Sequence, residues 1–175
     1  MLPATSVTFT DVALAWNPSS DNVGVDGYRI LVDSQWWSYS YQPDSGTVGN
    51  LLPGHTYSIA VQVQDHAGNV SPASAPITVS TPADTEPPTA PTGLSSDFAG
   101  NGVFGLTWVG STDNADQTKY LKYDVYADGG LVYVASGNET SIYVCLAPGT
   151  YTFVVRARDR SGNVSASSNP VTVTG

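Results

Sequence analysis

Residues 51–71 read LLPGHTYSIAVQVQDHAGNVS, and residues 146–165 read LAPGTYTFVVRARDRSGNVS. In both stretches a Pro-Gly turn leads into a tyrosine, and apolar residues then alternate with polar ones up to a turn that ends in Gly-Asn. Alternation with a period of two is the pattern of a β-strand that has one face on a core and the other in solvent. The chain therefore contains the same strand-forming unit twice.

The repetition extends along the whole chain. Residues 16–28 (WNPSSDNVGVDGY) recur as residues 108–123 (WVGSTDNADQTKYLKY), so Trp16 corresponds to Trp108. The offset stays near 92 to 95 residues, whereas a solenoid repeat has only about 20–50 residues and cannot bury a core alone. Each copy is therefore predicted to be a complete small domain, with residues 1–80 as the first and 92–175 as the second.

Residues 81–91 (TPADTEPPTAP), between the copies, contain four prolines and show no apolar alternation. Closely spaced prolines favour the extended polyproline II conformation. We predict a semi-rigid linker here, with the two domains standing end to end.

Turn residues divide each copy into short strands. Strands are predicted near residues 5–9, 12–16, 27–33, 36–41, 47–50, 56–64 and 76–80, and near residues 93–97, 103–109, 119–127, 131–136, 140–145, 150–158 and 170–174. Asp128-Gly129 predicts a tight hairpin. Seven short alternating strands in roughly 90 residues are typical of a β-sandwich. The predicted fold class is all-β, with two consecutive seven-stranded immunoglobulin-like sandwiches.

Charge and hydropathy exclude several classes of partner. The formal net charge is −9, and residues 1–80 carry Arg29 as their single basic residue against six aspartates. Binding to nucleic acid requires a basic stripe, so we expect no nucleic-acid partner. No segment approaches the roughly 20 apolar residues of a membrane-spanning helix, so we expect no membrane insertion. The sequence predicts a monomeric fragment of a longer parent protein.

Three motifs together resemble the fibronectin type III family, in the variants found in secreted bacterial multidomain proteins. They are the strand tryptophans Trp16 and Trp108, the strand starts Gly27-Tyr28-Arg29-Ile30 and Lys122-Tyr123-Asp124-Val125, and the Leu-x-Pro-Gly turns before Tyr57 and Tyr151. The resemblance implies that Tyr57 and Tyr151 form tyrosine corners, in which the hydroxyl returns to nearby backbone. It also implies an extracellular scaffold, similar to modules that accompany polysaccharide-degrading enzymes.

The sequence offers little for catalysis, which needs a nucleophile or acid beside a positioned base. The two histidines are His55, in the Pro-Gly turn, and His66, in a hairpin loop, and neither has another ligand at metal-binding spacing. We therefore predict no catalytic residue, cofactor or metal, and hence no enzyme activity. The single cysteine, Cys145, lies in an apolar run and is interpreted as a small core residue.

Two loops are rich in acidic side chains: Asp21-Asn22 with Asp26, and Asp113-Asn114 with Asp116. Calcium binds six to eight such oxygens. Asp and Asn also bond to their own backbone in turns, and neither loop has the ligand ladder and final Glu of a known calcium loop. A turn role is the main expectation, and calcium binding stays open as the alternative.

The largest difference between the copies is aromatic. Residues 35–41 read QWWSYSY in the first copy, where residues 130–136 read GLVYVAS in the second. Exposed aromatic patches mark interaction surfaces, and flat rings with a polar group suit stacking on sugars. The candidate ligand-binding residues are therefore Trp36, Trp37, Tyr39 and Tyr41. Core packing and protection of a sheet edge are the alternative interpretation.

The expected direction of these rings follows from the hairpin before them. With a two-residue turn at Asp33-Ser34, simple alternation predicts Trp37, Tyr39 and Tyr41 on the core face and Trp36 on the other. As to function, we expect a non-catalytic extracellular spacer that positions neighbouring domains of the parent protein. The alternative is a module that binds carbohydrate or protein through the aromatic strand.

Overall fold

The chain folds into two compact units. A computed structural model describes residues 2–175, apart from the side chains of residues 97–99. One unit extends to Asp84 and the other runs from Thr85 to Gly175. In each unit a three-stranded and a four-stranded antiparallel sheet form a sandwich. The predicted architecture of two seven-stranded β-sandwiches is confirmed.

The first sandwich pairs its strands in the orders β1-β2-β5 and β4-β3-β6-β7. Its strands are β1 (Ser6–Val7), β2 (Val12–Ala15), β3 (Val25–Val32), β4 (Gln35–Ser40), β5 (Ser45–Val48), β6 (Thr56–Asp65) and β7 (Ile77–Ser80). The strand β4, which carries the aromatic residues, is thus an edge strand of the larger sheet.

The second sandwich repeats this topology with the orders β12-β9-β8 and β11-β10-β13-β14. Its strands are β8 (Thr92–Gly100), β9 (Val103–Val109), β10 (Lys122–Ala127), β11 (Gly130–Ser136), β12 (Ser141–Cys145), β13 (Thr150–Arg158) and β14 (Val171–Thr174). A single turn of 3₁₀ helix, Thr118–Tyr120, precedes β10, where the sequence predicted strand. No helix in the described part of the chain is both long and apolar enough to cross a membrane.

A buried tryptophan and tyrosine pack together in each core. The ring centroids of Trp16 and Tyr28 lie 5.0 Å apart, and those of Trp108 and Tyr123 lie 5.5 Å apart. The Tyr28 hydroxyl accepts the backbone N–H of Ser19 at 2.8 Å, and the Tyr123 hydroxyl holds the equivalent loop in the same way. Each tyrosine therefore fills the core with its ring and anchors the loop between two strands with its oxygen, a role that the sequence did not reveal.

The tyrosines after the Pro-Gly turns also bond to backbone. The Tyr57 hydroxyl accepts the N–H of Leu52 at 2.8 Å, and the Tyr151 hydroxyl donates to the carbonyl of Ala147 at 3.1 Å. A polar group on a half-buried ring is thereby satisfied within a few residues of its own position. These bonds tie each Pro-Gly turn to the start of the strand that follows it.

Serine side chains join the returning chain to β13. Ser165 donates its N–H to the carbonyl of Ala157 at 2.9 Å, and its hydroxyl accepts the N–H of Ala157 at 2.8 Å. Ser168 makes the same pair of bonds with Val155, at 2.9 and 3.0 Å. In regular sheet pairing a backbone carbonyl would accept these N–H groups, and here the serine hydroxyls accept them instead. The three-residue step from Ser165 to Ser168 therefore lies opposite the two-residue step from Ala157 to Val155. The first unit repeats this arrangement on β6.

Replacing Ser168 by Ala is expected to destabilise the second unit by about 1–3 kcal/mol, because the buried N–H of Val155 loses its acceptor. Urea denaturation of the variant and the parent chain measures the difference. The control is Ser161→Ala, in an exposed turn, which should change the free energy of unfolding by less than about 0.5 kcal/mol. Equal effects of the two substitutions would show that the hydroxyl contributes nothing specific.

Candidate functional site

The hairpin between β3 and β4 turns on two residues in the left-handed conformation. Asp33 has φ = 50° and Ser34 has φ = 66°. Two central residues with positive φ form the turn whose twist matches that of paired strands. The two-residue turn assumed above at Asp33-Ser34 is therefore present.

One extra residue interrupts the pairing of β4 with β3. Ile30 pairs with Ser38 and Leu31 pairs with Trp36, so Trp37 lies in a β-bulge without a partner in the register. A bulge adds one residue to one strand only, and beyond it every side chain points to the opposite face from the one that simple alternation predicts.

The expectation that Trp37, Tyr39 and Tyr41 face the core is wrong, and the bulge is the reason. Tyr39 lies opposite Arg29 on the outer face of the sheet. Tyr41 is 78% exposed, and Trp36, which was expected to point outward, is 67% exposed. Three of the four aromatic side chains therefore share the outer face.

Trp37 has a different place, at the open edge of the sandwich. It is 43% exposed, and its Nε1 donates to the carbonyl of Gly49 at 3.0 Å. Gly49 follows β5, which is the edge strand of the other sheet. The indole thus joins the two sheets and covers an edge, which is a structural role.

Tyr39 is the most constrained of the rings. It lies over Gly27, where a Cβ atom would overlap it, and it meets Tyr41 edge to face at a centroid distance of 5.0 Å. Its hydroxyl donates to Asp26 at 2.8 Å. Burial, together with this hydrogen bond to a carboxylate, raises the pKa of Tyr39 to about 12.

Trp36 and Tyr39 border a shallow cleft whose lining is mostly apolar. The cleft, here called the aromatic cleft, has a volume of about 260 Å³ and is lined by Trp36, Tyr39, Arg29 and Gln64. The Nε of Arg29 donates to Oε1 of Gln64 at 2.8 Å. Enclosed small-molecule pockets measure about 300–1,000 Å³. The aromatic cleft is therefore suited to contact one part of an extended ligand.

The second unit has the same backbone but different chemistry at these positions. Its hairpin carries the same bulge, and Leu131 and Val134 stand where the first unit has Trp36 and Tyr39. On its outer face Arg158 donates two hydrogen bonds of 2.9 Å each to the carboxylate of Asp124. That pairing raises the pKa of Arg158.

The carboxylates of the two acidic loops accept hydrogen bonds from other groups of the protein. Oδ2 of Asp21 accepts the backbone N–H groups two and three residues further along, and Asp113 does the same in the second unit. Asp116 is buried and pairs with Arg160 through both of its oxygens. The contacts of Asp21 and Asp113 are local turn interactions.

The two histidines also contact groups close to them. Nδ1 of His55 lies 2.8 Å from the carbonyl of Pro53, and its ring is stacked near Tyr57. His66 is exposed, with Nδ1 3.5 Å from Asp26. Both rings lie in loops at the surface of the first unit.

Cys145 is exposed, and its interpretation as a core residue is wrong. In β12 the buried positions belong to Ile142 and Val144, so the next residue points to solvent. The run from Ile142 to Leu146 is apolar throughout, and it gave no polar position from which to infer the face.

Comparisons with known proteins place these features in context. A family model described as "Fibronectin type III domain" matches residues 2–80. Chitinase A1 of Niallia circulans is 41% identical over 174 residues, which cover 97% of this chain and 24% of that protein. Endoglucanase B of Cellulomonas fimi is 40% identical over 182 residues, which cover 98% of this chain and 17% of that protein.

Solved structures match as well. The fibronectin(III)-like modules of Clostridium thermocellum CbhA cover 98% of this chain and 90% of their own, with 13% identity and a TM-score of 0.40. The chain spans about a quarter or less of the length of the two curated enzymes above.

Substitution of the two neighbouring tryptophans separates their roles. Trp36→Ala should change the free energy of unfolding by less than about 0.5 kcal/mol, because the ring is mostly in solvent. Trp37→Ala should cost about 1–2 kcal/mol, because the half-shielded indole and its bond to Gly49 are lost. Thermal or urea denaturation measures both. A larger cost for Trp36 than for Trp37 would contradict the assignment of faces.

The titration of Tyr39 tests the contact with Asp26. We expect its ¹³Cζ resonance to titrate near pH 12, and Asp26→Asn to lower that midpoint. Because folding favours the neutral phenol, its contribution to stability is complete below about pH 10 and is lost as the pH rises to about 12. The variant Tyr39→Phe should lack this loss. A midpoint that Asp26→Asn leaves unchanged would contradict the contact.

Proposed function

Because the chain belongs to the fibronectin type III family, we propose that it is a non-catalytic spacer that positions neighbouring domains of a larger extracellular protein. The observation that carries this proposal is the coverage of the relatives. Nearly the whole chain aligns with chitinase A1, yet it accounts for only 24% of that enzyme. The chain therefore corresponds to an accessory part of an enzyme of this kind.

The construction of the two units supports a mechanical role. Each unit has its own core, which contains a buried tryptophan and a buried tyrosine, and its own pair of β-sheets. A closely packed sandwich resists compression and keeps its dimensions under load. The net charge of −9 opposes non-specific association with other acidic surfaces.

The partners we propose are the adjoining domains of the parent protein, and the location is outside the cell. Relatives are named as chitinases and glucanases. Long polysaccharides cannot enter a bacterial cell, so enzymes that cleave them act outside it. A spacer in such an enzyme separates the catalytic domain from a domain that holds the polymer.

A second candidate function is a carbohydrate- or protein-binding module that uses the aromatic strand of the first unit. The observation that favours it is the exposure of Trp36 and Tyr41 on the same outer face as Tyr39. Large aromatic rings in solvent are typical of interaction surfaces.

The spacer role is tested in a fusion that places this chain between a polysaccharide-cleaving domain and a polysaccharide-binding domain. We expect deletion of the chain, or replacement by a Gly/Ser linker of equal length, to lower activity on insoluble substrate several-fold and to leave activity on soluble oligosaccharide unchanged, because flexible chains do not hold a fixed distance. A fusion in which Trp36, Tyr39 and Tyr41 are all Ala keeps the length of the chain, so it should be more active on insoluble substrate than the Gly/Ser fusion. Full activity after deletion would overturn the spacer role.

A further inference from the structure

We propose that the aromatic cleft binds an uncharged polysaccharide, with a sugar ring stacked on Trp36 and its oxygens bonded to Arg29 and Gln64. This inference specifies the second candidate function, and it is independent of the spacer role. It rests on the exposed aromatic rings, on side-chain nitrogens of the cleft that have no hydrogen-bond acceptor in the described part of the chain, and on the different residues at the matching positions of the second unit.

The rings supply flat apolar contact that is already held in place. Tyr39 lies over Gly27, touches Tyr41 and is bonded to Asp26, so its orientation is fixed before any ligand arrives. Trp36 is 67% exposed on the same face. Rigid Trp and Tyr side chains lose little conformational entropy on binding. The axial C–H groups of a pyranose form an apolar face that matches such a ring.

The floor of the cleft supplies donors. Arg29 is partly buried and uses Nε to bond Gln64, while its two terminal nitrogens make no hydrogen bond to the described part of the chain. Oε1 of Gln64 accepts that bond, which leaves its amide nitrogen as a further open donor. A cleft with several donors selects a ligand rich in acceptor oxygens, because a ligand without them would leave these groups desolvated and unpaired.

The charged residues around the aromatic cleft favour an uncharged ligand. Arg29 is the single Lys or Arg among residues 1–80, against six aspartates, and Asp26 lies beside the cleft through its bond to Tyr39. An anionic polymer would be repelled along most of this surface. The hydroxyls of a neutral sugar accept from Arg29 and Gln64 without that repulsion.

A protein partner fits the same surface less well. Stable protein interfaces bury about 800 Å² on each side. A whole aromatic side chain supplies about 150–250 Å², and the three rings here are each partly covered. A linear glycan needs only the rings and the donors between them.

The second unit provides an internal control. At the matching positions it carries Leu131 and Val134, and Arg158 is already paired with Asp124. The donors at the matching positions of the second unit are thus satisfied internally, and Leu131 and Val134 present no flat ring. The same backbone should therefore bind sugar in one unit only.

The test uses the whole chain, in retention on microcrystalline cellulose and on chitin beads and in NMR titration with cellohexaose and chitohexaose. We expect retention on at least one neutral polymer, with shifts confined to the aromatic cleft. Trp36→Ala should weaken binding at least tenfold and Arg29→Met about fivefold, whereas Trp36→Phe should keep most of it. Melting temperatures verify that each variant is folded.

The matched control is the double substitution Leu131→Ala and Val134→Ala, which should leave binding unchanged. Absence of retention on every neutral polymer, or retention that Trp36→Ala and Arg29→Met do not alter, would overturn the inference. So would stronger binding to anionic alginate that Arg29→Met abolishes, or self-association that Trp36→Ala abolishes. The spacer role is judged separately, by comparing the fusion that lacks the three rings with the Gly/Ser fusion, because both lack the aromatic cleft and only the first keeps the folded units.

Discussion

The pairing of β4 with β3 decides which side chains of β4 face the core of the first sandwich and which face solvent. Alternate residues of each strand must fill the space between the two sheets, and this space is already occupied by Trp16 and Tyr28. The bulge at Trp37 brings the small residues Ser38 and Ser40 to the inner face of β4. Ser40 is buried, and its hydroxyl donates to the carbonyl of Ser45 in β5 at 2.6 Å. The same bulge turns Tyr39 to the outer face, where alternation from the hairpin turn already places Trp36, and the two rings therefore border one cleft.

The two units show what a sandwich constrains and what it leaves free. The bulge, the buried Trp–Tyr pair, the loop-capping aspartates and the serine bonds all recur in both. Each of these satisfies a buried group or fills the core, so a change at any of them carries a stability cost. The outer face has no such requirement. It carries rings and open donors in one unit and an internal salt bridge in the other, which is how a common fold comes to hold different surface chemistry.

Side chains, rather than backbone alone, hold the ends of the sandwiches together. Serine hydroxyls take the place of carbonyls along β6 and β13, and tyrosine hydroxyls tie loops and turns to the strands beside them. Each of these bonds satisfies a backbone group where regular sheet pairing stops. The loops around the candidate site are therefore held by short local contacts.

The sequence by itself determined the repeat, the fold class, the turns and the family, because each of these follows from local spacing along the chain. Period-two alternation predicted the strands. It also located the aromatic strand as the main difference between the copies. Only the tertiary structure decided that Tyr39 and Tyr41 point outward, that Cys145 faces solvent, and that Arg29 and Gln64 line a cleft with the rings. A bulge and a cleft floor are set by the partner strand, which lies far away in sequence, and no pattern within a single strand reports on its partner.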